Sequence, residues 1–323
     1  MIDRTAMITL IGRPNVGKST LTNRLTGEKV SIVSPKPQTT RNRIFGVFTH
    51  SGIQMVLLDT PGFHKARTRL GEYMVGVVKQ SVADVDAAAL LIEPVDNIGT
   101  QEELLIRHIG DSGVPAILVI NKIDTIKIDF ALPIIERYSN RYPFDAIVPV
   151  SARTGDGITQ LVDVFARYAK EGPQLFPDGM ATDQPEKQII AEIIREKLLI
   201  CLEKEVPHGV AVEIVKFSER DLARSLAAEG KGNNDASPLP ETTDSPLYDD
   251  VIIDIEATIY CEKTSHKGMI IGKNGAMLKK VGQLAREDIE RFMGAKANLQ
   301  TWVKVKENWR DSQGMMRNLG YVK

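Results

Sequence analysis

Residues 12–19, Gly-Arg-Pro-Asn-Val-Gly-Lys-Ser, stand between the short apolar run Ala6–Ile11 and an amphipathic stretch, so the chain passes from strand to helix through a glycine-rich loop. No other segment restricts the fold as much. Glycines let the backbone curl until successive N–H groups converge, and the helix that follows adds positive potential at its N-terminus. The expected cradle for phosphate consists of Gly12, Asn15, Val16, Gly17, Lys18, Ser19 and Thr20. In it Lys18 meets the β- and γ-phosphate oxygens and the Ser19 hydroxyl ligates Mg²⁺. An isolated match of this kind also describes a structural glycine turn, so the neighbouring segments have to decide.

They agree with it. Apolar runs at Gln54–Leu58, Ala87–Ile92, Ala116–Ile120 and Ala146–Val150 alternate with amphipathic segments, which predicts an α/β domain with a mostly parallel sheet and helices on both faces. Ile44–His50 and Ile53–Leu58 are separated by little more than Ser51-Gly52, too short for a parallel crossover, so one edge strand runs antiparallel. Three further polar clusters each follow one of the runs. In Asp59-Thr60-Pro61-Gly62 a carboxylate ends a buried strand, where it holds Mg²⁺ through water, and the Gly62 N–H is placed to sense the γ-phosphate. In Asn121-Lys122-Ile123-Asp124 the last carboxylate accepts from both N1–H and the exocyclic amine of guanine, a donor pair that adenine lacks. Ser151, Ala152 and Arg153 close the base pocket, with a backbone N–H directed to guanine O6. Each cluster alone is commonplace. Four in this order, each at the C-terminal end of a predicted strand, describe a guanine-nucleotide site.

These residues resemble the translation-factor-related small GTPases, and GRPNVGKST with PQTTR and DTPGF is most similar to the Era-type group. The resemblance implies GTP/GDP and Mg²⁺ as ligands and Lys18, Thr40, Gly62 and Asn15 as the catalytic set. Thr40 completes the metal shell with Ser19 and Asp59, and the adjacent Thr39 is the alternative. Where many GTPases carry a water-orienting glutamine after the Asp-x-x-Gly glycine, this chain has Phe63, so slow intrinsic hydrolysis is expected. Asn15 resembles an asparagine that helps hold K⁺ at the phosphates in relatives; the other reading is that it stabilises the loop backbone. Arg41 and Arg43 are alternative sources of positive charge.

At 323 residues the chain has room for two domains. The GTPase domain is expected over 1–172. The aperiodic stretch 173–185, rich in proline and glycine, reads as a linker, and a second domain is expected over 186–323 with an exposed polar insert near 225–248. Its first helix carries Ile190, Ile193, Ile194, Leu198, Cys201 and Leu202 on one stripe, followed by a strand near Val210–Phe217. Val251, Ile253, Ile255, Ala257 and Ile259 alternate as a half-buried strand should, and so do Leu299, Thr301, Val303 and Val305.

Between those strands Gly268-Met269-Ile270-Ile271 leads into Gly272-Lys273-Asn274-Gly275 and a helix from about Ala276 to Met293. The arrangement resembles an α+β KH domain of bacterial (type II) topology, in which a Gly-x-x-Gly turn grips nucleic-acid backbone. Ile271, Gly272, Lys273, Asn274, Gly275, Lys279 and Lys280 are the expected RNA contacts. The overall charge of −1 excludes nothing, because from Lys263 onward 13 basic residues face 5 acidic ones. Trp302 and Trp309 are candidates for base stacking, with core packing the more ordinary role for at least one.

A GTPase followed by one KH domain is the Era-type architecture. It implies binding to the 3′ end of small-subunit ribosomal RNA, assembly of the small ribosomal subunit as the role, and a monomer. The insert is longer than the family pattern suggests. A membrane-associated switch using the KH fold as an interaction module is a second reading, and a nucleotide-gated scaffold with negligible turnover a third. Two lone cysteines, Cys201 and Cys261, and no apolar stretch near the ~18 residues that span a bilayer fit a cytoplasmic protein, with peripheral contact at the inner membrane face as the alternative.

Overall fold

The computed structural model describes residues 3–203, 206–221 and 251–321. The polar insert expected near 225–248 lies outside them. Two compact units are present, one running to Pro185 and taking in the segment from Trp309 onward, the other Glu186–Asn308.

The first unit is a sheet in the order β2-β3-β1-β4-β5-β6, formed by β1 (Arg4–Gly12), β2 (Ile44–His50), β3 (Ile53–Asp59), β4 (Ala87–Ile92), β5 (Ala116–Ile120) and β6 (Ala146–Pro149). β1 pairs in parallel with β3 and β4, while β2 runs antiparallel to β3 as the two-residue connection requires. Ser51 (φ 49°) and Gly52 (φ 77°) both take left-handed backbone, the geometry that matches strand twist in a two-residue hairpin. β7 (Lys170–Glu171), too short to leave a pattern in the sequence, adds antiparallel to the start of β1.

All six residues of β4 are buried, as expected for a strand covered on both faces. Its side chains divide by period two. Ala87, Ala89 and Leu91 pack with Leu21 of α1 (Lys18–Thr26) and Phe165 of α5 (Ile158–Ala166). Ala88, Leu90 and Ile92 pack with Val78 of α2 (Arg69–Gln80), Ile106 of α3 (Thr100–Ser112) and Ile134 of α4 (Ala131–Arg141). The strands are thereby fixed from both sides, and their C-terminal ends form a rigid rim.

The stretch read as a linker is partly tied down. Buried Gln54 accepts from the Leu175 and Phe176 N–H groups at 2.8 and 3.0 Å and donates to the Phe176 carbonyl at 2.8 Å. Phe176 lies 5.7 Å from the Phe45 ring, and the Val47 N–H donates to Ala181 O at 2.8 Å. Composition alone marks this stretch as aperiodic, but its backbone groups find partners on the sheet edge.

The second unit runs α6 (Glu186–Cys201), β8 (Ala211–Asp221), β9 (Val251–Cys261), α7 (Thr264–Ile271), α8 (Ala276–Met293) and β10 (Lys296–Val305). β9 is central, antiparallel to β8 and parallel to β10. The expected stripe of α6 is buried at Ile190, Ile193, Ile194, Leu198 and Leu202, with Cys201 at its margin. Ile253, Ile255, Ala257 and Ile259 fill the same core. A bulge between Ile214 and Lys216 turns Val215 out to solvent.

The expected span of 186–323 for the second domain differs from the structure at its end. Trp309 is fully buried, and the segment it begins, with α9 (Gln313–Asn318), belongs to the first unit. A large aromatic surface removed from water outweighs sequence adjacency to β10.

Candidate nucleotide site and nucleic-acid groove

The loop between β1 and α1 curls because Gly17 takes φ 98°, and any side chain there would meet Asn121 Nδ2 at 2.2 Å. Gly62 is constrained by space instead: a Cβ would lie 2.6 Å from Pro14 Cα, so the loop after β3 approaches the phosphate loop backbone to backbone. The Phe63 N–H then donates to Gly12 O at 3.0 Å. Lys18 is buried, its ammonium donating to the carbonyls of Gly12 (3.2 Å) and Arg13 (3.0 Å). Burial lowers its pKa to about 8 against the raising pull of Asp59. Burial likewise pushes the Asp59 carboxyl up, opposed by Lys18 and by the nearby Ser19 and Ser31 hydroxyls.

Both carboxylate oxygens of Asp59 are buried without a hydrogen-bond partner among the described residues. Orphaned buried oxygens are costly, and a hard cation would satisfy them. Ser19 Oγ lies 2.8 Å from Thr40 Oγ1, so two hydroxyls join that carboxylate as the expected Mg²⁺ ligands. The two threonines differ in their partners, although both line the same cavity. Thr39 Oγ1 donates to Lys36 O at 2.7 Å and contacts Ser34 Oγ at 3.0 Å, which keeps it within its own loop.

Thr60 is buried and donates to Leu10 O at 2.7 Å, and buried Pro61 follows; both hold the loop on the sheet rather than face the pocket. Phe63 packs against the core under β4 and β5, which explains an apolar residue at that position. The Arg41 guanidinium is buried elsewhere, and Arg43 lies over the Phe45 ring at 5.4 Å.

At the base end Asn121 is a brace. It donates to Val16 O at 2.8 Å and accepts from the Ala152 N–H at 3.0 Å, linking the phosphate loop to the loop after β6. The expected O6 contact through Ser151-Ala152 would therefore share or replace that bond, since the Ser151 N–H already donates to Asp156 O at 2.9 Å. Lys122, at φ 64°, donates to Asn15 O at 2.6 Å and pairs with Glu93. Asp124 accepts from Ser151 Oγ at 2.6 Å and from Arg153 Nη2 at 2.5 Å. The Ser151 hydrogen bond first, and Arg153 with it, hold the carboxyl below the usual carboxylate range. It is acceptor-only at neutral pH, as a reader of two N–H donors must be.

A cavity of about 630 Å³ is lined by Asn15, Gly17, Lys18, Ser19, Thr20, Thr40, Gly62 and Lys122. It also takes in Thr39, and Ile32–Pro35 and Glu93, which sequence reasoning missed; of the expected site residues Gly12, Val16, Asp59, Asn121, Asp124, Ser151, Ala152 and Arg153 do not line it. Glu93 follows the one long parallel strand, β4, to which no motif had been attached. Its signal was position alone.

In the second unit Gly272 (φ 73°) and Gly275 (φ 77°) flank a 3₁₀ turn, and Asn274 between them is also left-handed. A groove of about 450 Å³ starts at Gly275 and Lys279 and continues along α8 through Leu278, Gly282, Gln283 and Arg286 to Asn298, Leu299 and Thr301 of β10. Of the expected contacts only Gly275 and Lys279 line it. Ile271, Gly272, Lys273, Asn274 and Lys280 do not. Positions 275, 278, 279, 282, 283 and 286 repeat at helical spacing, a pattern readable once α8 is placed. Trp302 is exposed on β10, outside the groove lining.

Comparison with known proteins matches both units. Residues 7–122 match the family model of the 50S ribosome-binding GTPase, and residues 241–310 match that of the KH domain. The chain is 46% identical over 318 residues to GTPase Era of Ruminiclostridium cellulolyticum, covering 98% of this chain and 97% of that one. It is 44% identical over 322 residues to GTPase Era of Caldanaerobacter subterraneus, covering 100% and 99%. A crystal structure of Era in complex with MgGDPNP and nucleotides 1506-1542 of 16S ribosomal RNA superposes with a TM-score of 0.87 at 34% identity, covering 99% of this chain and 100% of that one. With relatives this similar along nearly the whole of both chains, the protein belongs to the Era family of GTPases.

Proposed function

We propose that this chain hydrolyses GTP as a switch, binds the 3′ end region of small-subunit ribosomal RNA through the groove of its second unit, and assists assembly of the small ribosomal subunit. One observation carries the reading. A buried phosphate lysine and the hydroxyls of Ser19 and Thr40 line one cavity, with the unpaired carboxylate of Asp59 buried nearby and the ionised Asp124 on the loop that follows Lys122 of the cavity wall, in a chain whose full-length structural relative is an Era complex with Mg²⁺-nucleotide and 16S RNA.

Lys18 neutralises charge on the β- and γ-phosphates, and the Gly62 N–H faces the γ-phosphate. Asp124 selects the base, and Thr40 couples its loop to the triphosphate. Bound Mg²⁺, held by Ser19 and Thr40 with Asp59 behind, would neutralise charge on the phosphate oxygens. Phe63 cannot orient a water, so positioning and electrostatics carry the rate. K⁺ is the second cation that this reading includes. Asn15 donates through Nδ2 to Pro35 O at 2.9 Å, which leaves its amide oxygen for a cation beside the phosphates.

Hydrolysis is expected to run about tenfold faster in KCl than in NaCl, a difference of ~1.4 kcal/mol in barrier, and Asn15→Ala should abolish the difference. Equal rates in both salts for both proteins would remove the K⁺ assignment. An RNA partner places the protein in the cytoplasm, with a peripheral membrane site as the competing location. Crosslinking in cells tests the substrate. Crosslinks from a GTP-locked variant should cluster at the small-subunit RNA 3′ end, and scattered crosslinks together with vesicle binding would favour the membrane reading.

A further inference from the structure

The loop that carries Thr40 continues directly into Arg41, which is only 3% exposed. Its guanidinium lies 5.4 Å from the centre of the Trp309 ring and 5.9 Å from that of Tyr321. Arg41 Nη1 also donates to the Tyr321 hydroxyl at 3.2 Å. The two rings stack on each other at 6.3 Å with 27° between their planes. Asn42 Nδ2 donates to Gly320 O at 3.4 Å, and Tyr73 of α2 donates to Asn42 Oδ1 at 3.0 Å with its ring 6.5 Å from Tyr321. At the start of α2 the Arg69 N–H donates to Asp311 Oδ1 at 2.9 Å. The segment from Trp309 to Tyr321 thus holds both stretches that adjoin the phosphate site, the one bearing Thr40 and the one that follows Gly62.

We infer that the C-terminal segment is a positioning element for GTP hydrolysis: by holding Arg41 against Trp309 and Tyr321 it sets Thr40 beside Ser19, where the triphosphate and its metal need it. The inference rests on the reading of Thr40 as a metal ligand. Linkage gives it direction. A nucleotide with a γ-phosphate stabilises the placed Thr40 and therefore the docked segment, and the docked segment raises affinity for that nucleotide by the same factor. GDP makes no demand on Thr40, so its affinity should not depend on the segment. Arg41, Trp309 and Tyr321 are positioning residues, since none touches the cavity that the nucleotide would fill.

The test uses the full chain and compares affinity for GDP and for a non-hydrolysable GTP analogue in Arg41→Ala, Tyr321→Phe and Trp309→Phe proteins. Arg41→Ala is expected to weaken analogue binding about 30-fold, the size of a desolvated cation–π contact, and to leave GDP affinity unchanged. Tyr321→Phe removes one hydroxyl and should give a smaller loss in the same direction. Trp309→Phe keeps an aromatic face and should retain most of the discrimination. A second readout is optical. The chain has two tryptophans, so a Trp302→Phe background leaves Trp309 alone. Its emission should be blue-shifted with the analogue and shift to the red with GDP. Equal losses for both nucleotides would show damage to the fold, and no loss with unchanged emission would show an inert contact; either overturns the inference. Thr40→Ala separates the two layers: if it leaves discrimination intact the metal-ligand reading fails, whereas if it alone destroys discrimination only the positioning role fails.

Discussion

Replacing Asp124 with asparagine is expected to lower GTP affinity by about 100-fold or more and to transfer preference to xanthosine triphosphate. Ser151 and Arg153 hold the Asp124 carboxylate ionised, so it offers two acceptors and no donor. Guanine presents N1–H and an exocyclic amine, both donors. An amide in place of the carboxylate turns one of those contacts donor to donor. Losing one charge-assisted hydrogen bond and facing one unsatisfied donor costs about 3 kcal/mol. Xanthine carries a carbonyl where guanine has the amine, and the asparagine NH₂ fits it. The neighbouring bonds limit the damage to the base site, because the brace between Val16 and Ala152 runs through Asn121 and not Asp124. Calorimetry with GTP, ATP and XTP provides the check. Retention of GTP preference by the variant would mean that the base is read elsewhere.

Gly275→Asp is expected to weaken binding of a small-subunit 3′-end RNA oligonucleotide by roughly 5- to 1,000-fold with GTP affinity unchanged. At φ 77° the glycine opens α8, and nothing lies within 4 Å of an added Cβ, so the second unit can accept the side chain at the modest cost of a left-handed residue. The larger cost falls on the ligand. A carboxylate at the mouth of the groove faces phosphate a few ångströms away, worth about 1–4 kcal/mol of repulsion at a protein surface. Gly272→Asp is less clean, since its Cβ would lie 2.7 Å from Met277 Cβ and disturb the start of the helix. Anisotropy titrations at several salt concentrations separate the causes. Lys279→Ala should lower the slope of log affinity against log salt by about 0.7, as loss of one phosphate contact on a single strand does. An unaltered affinity in Gly275→Asp would move the RNA site away from this groove.

The parts of the site that were legible in the sequence share a physical property: each sits where a strand ends, so local pattern and global position coincide. Gly12–Ser19, Asp59, Asn121–Asp124 and Ser151 are of this kind. Thr39 and Thr40 are not separable from sequence because they carry the same hydroxyl on adjacent residues. The contact of Thr40 with Ser19, and those of Thr39 with Lys36 and Ser34, distinguish them. Glu93 was missed because a single acid after a strand has no spacing to recognise, although it anchors Lys122. In the second unit the turn residues were visible and the groove largely was not. An amphipathic helix shows which face is apolar, not that Gly282 leaves open space on the other face. A core role for one of the two tryptophans was expected and Trp309 fills it, but what it packs against was beyond local reasoning. Its partners Arg41 and Tyr321 lie in widely separated parts of the sequence, and no periodicity encodes such a contact.

Because Trp309–Tyr321 completes the first unit, that unit is not one continuous stretch of sequence. A fragment cut at Pro185 would lack the aromatic seat of Arg41, and kinetic constants measured on it would describe an incompletely assembled catalyst. A purification tag or fluorescent protein appended after Lys323 likewise hangs from the nucleotide-binding half of the molecule, although by sequence order it follows the RNA-binding half.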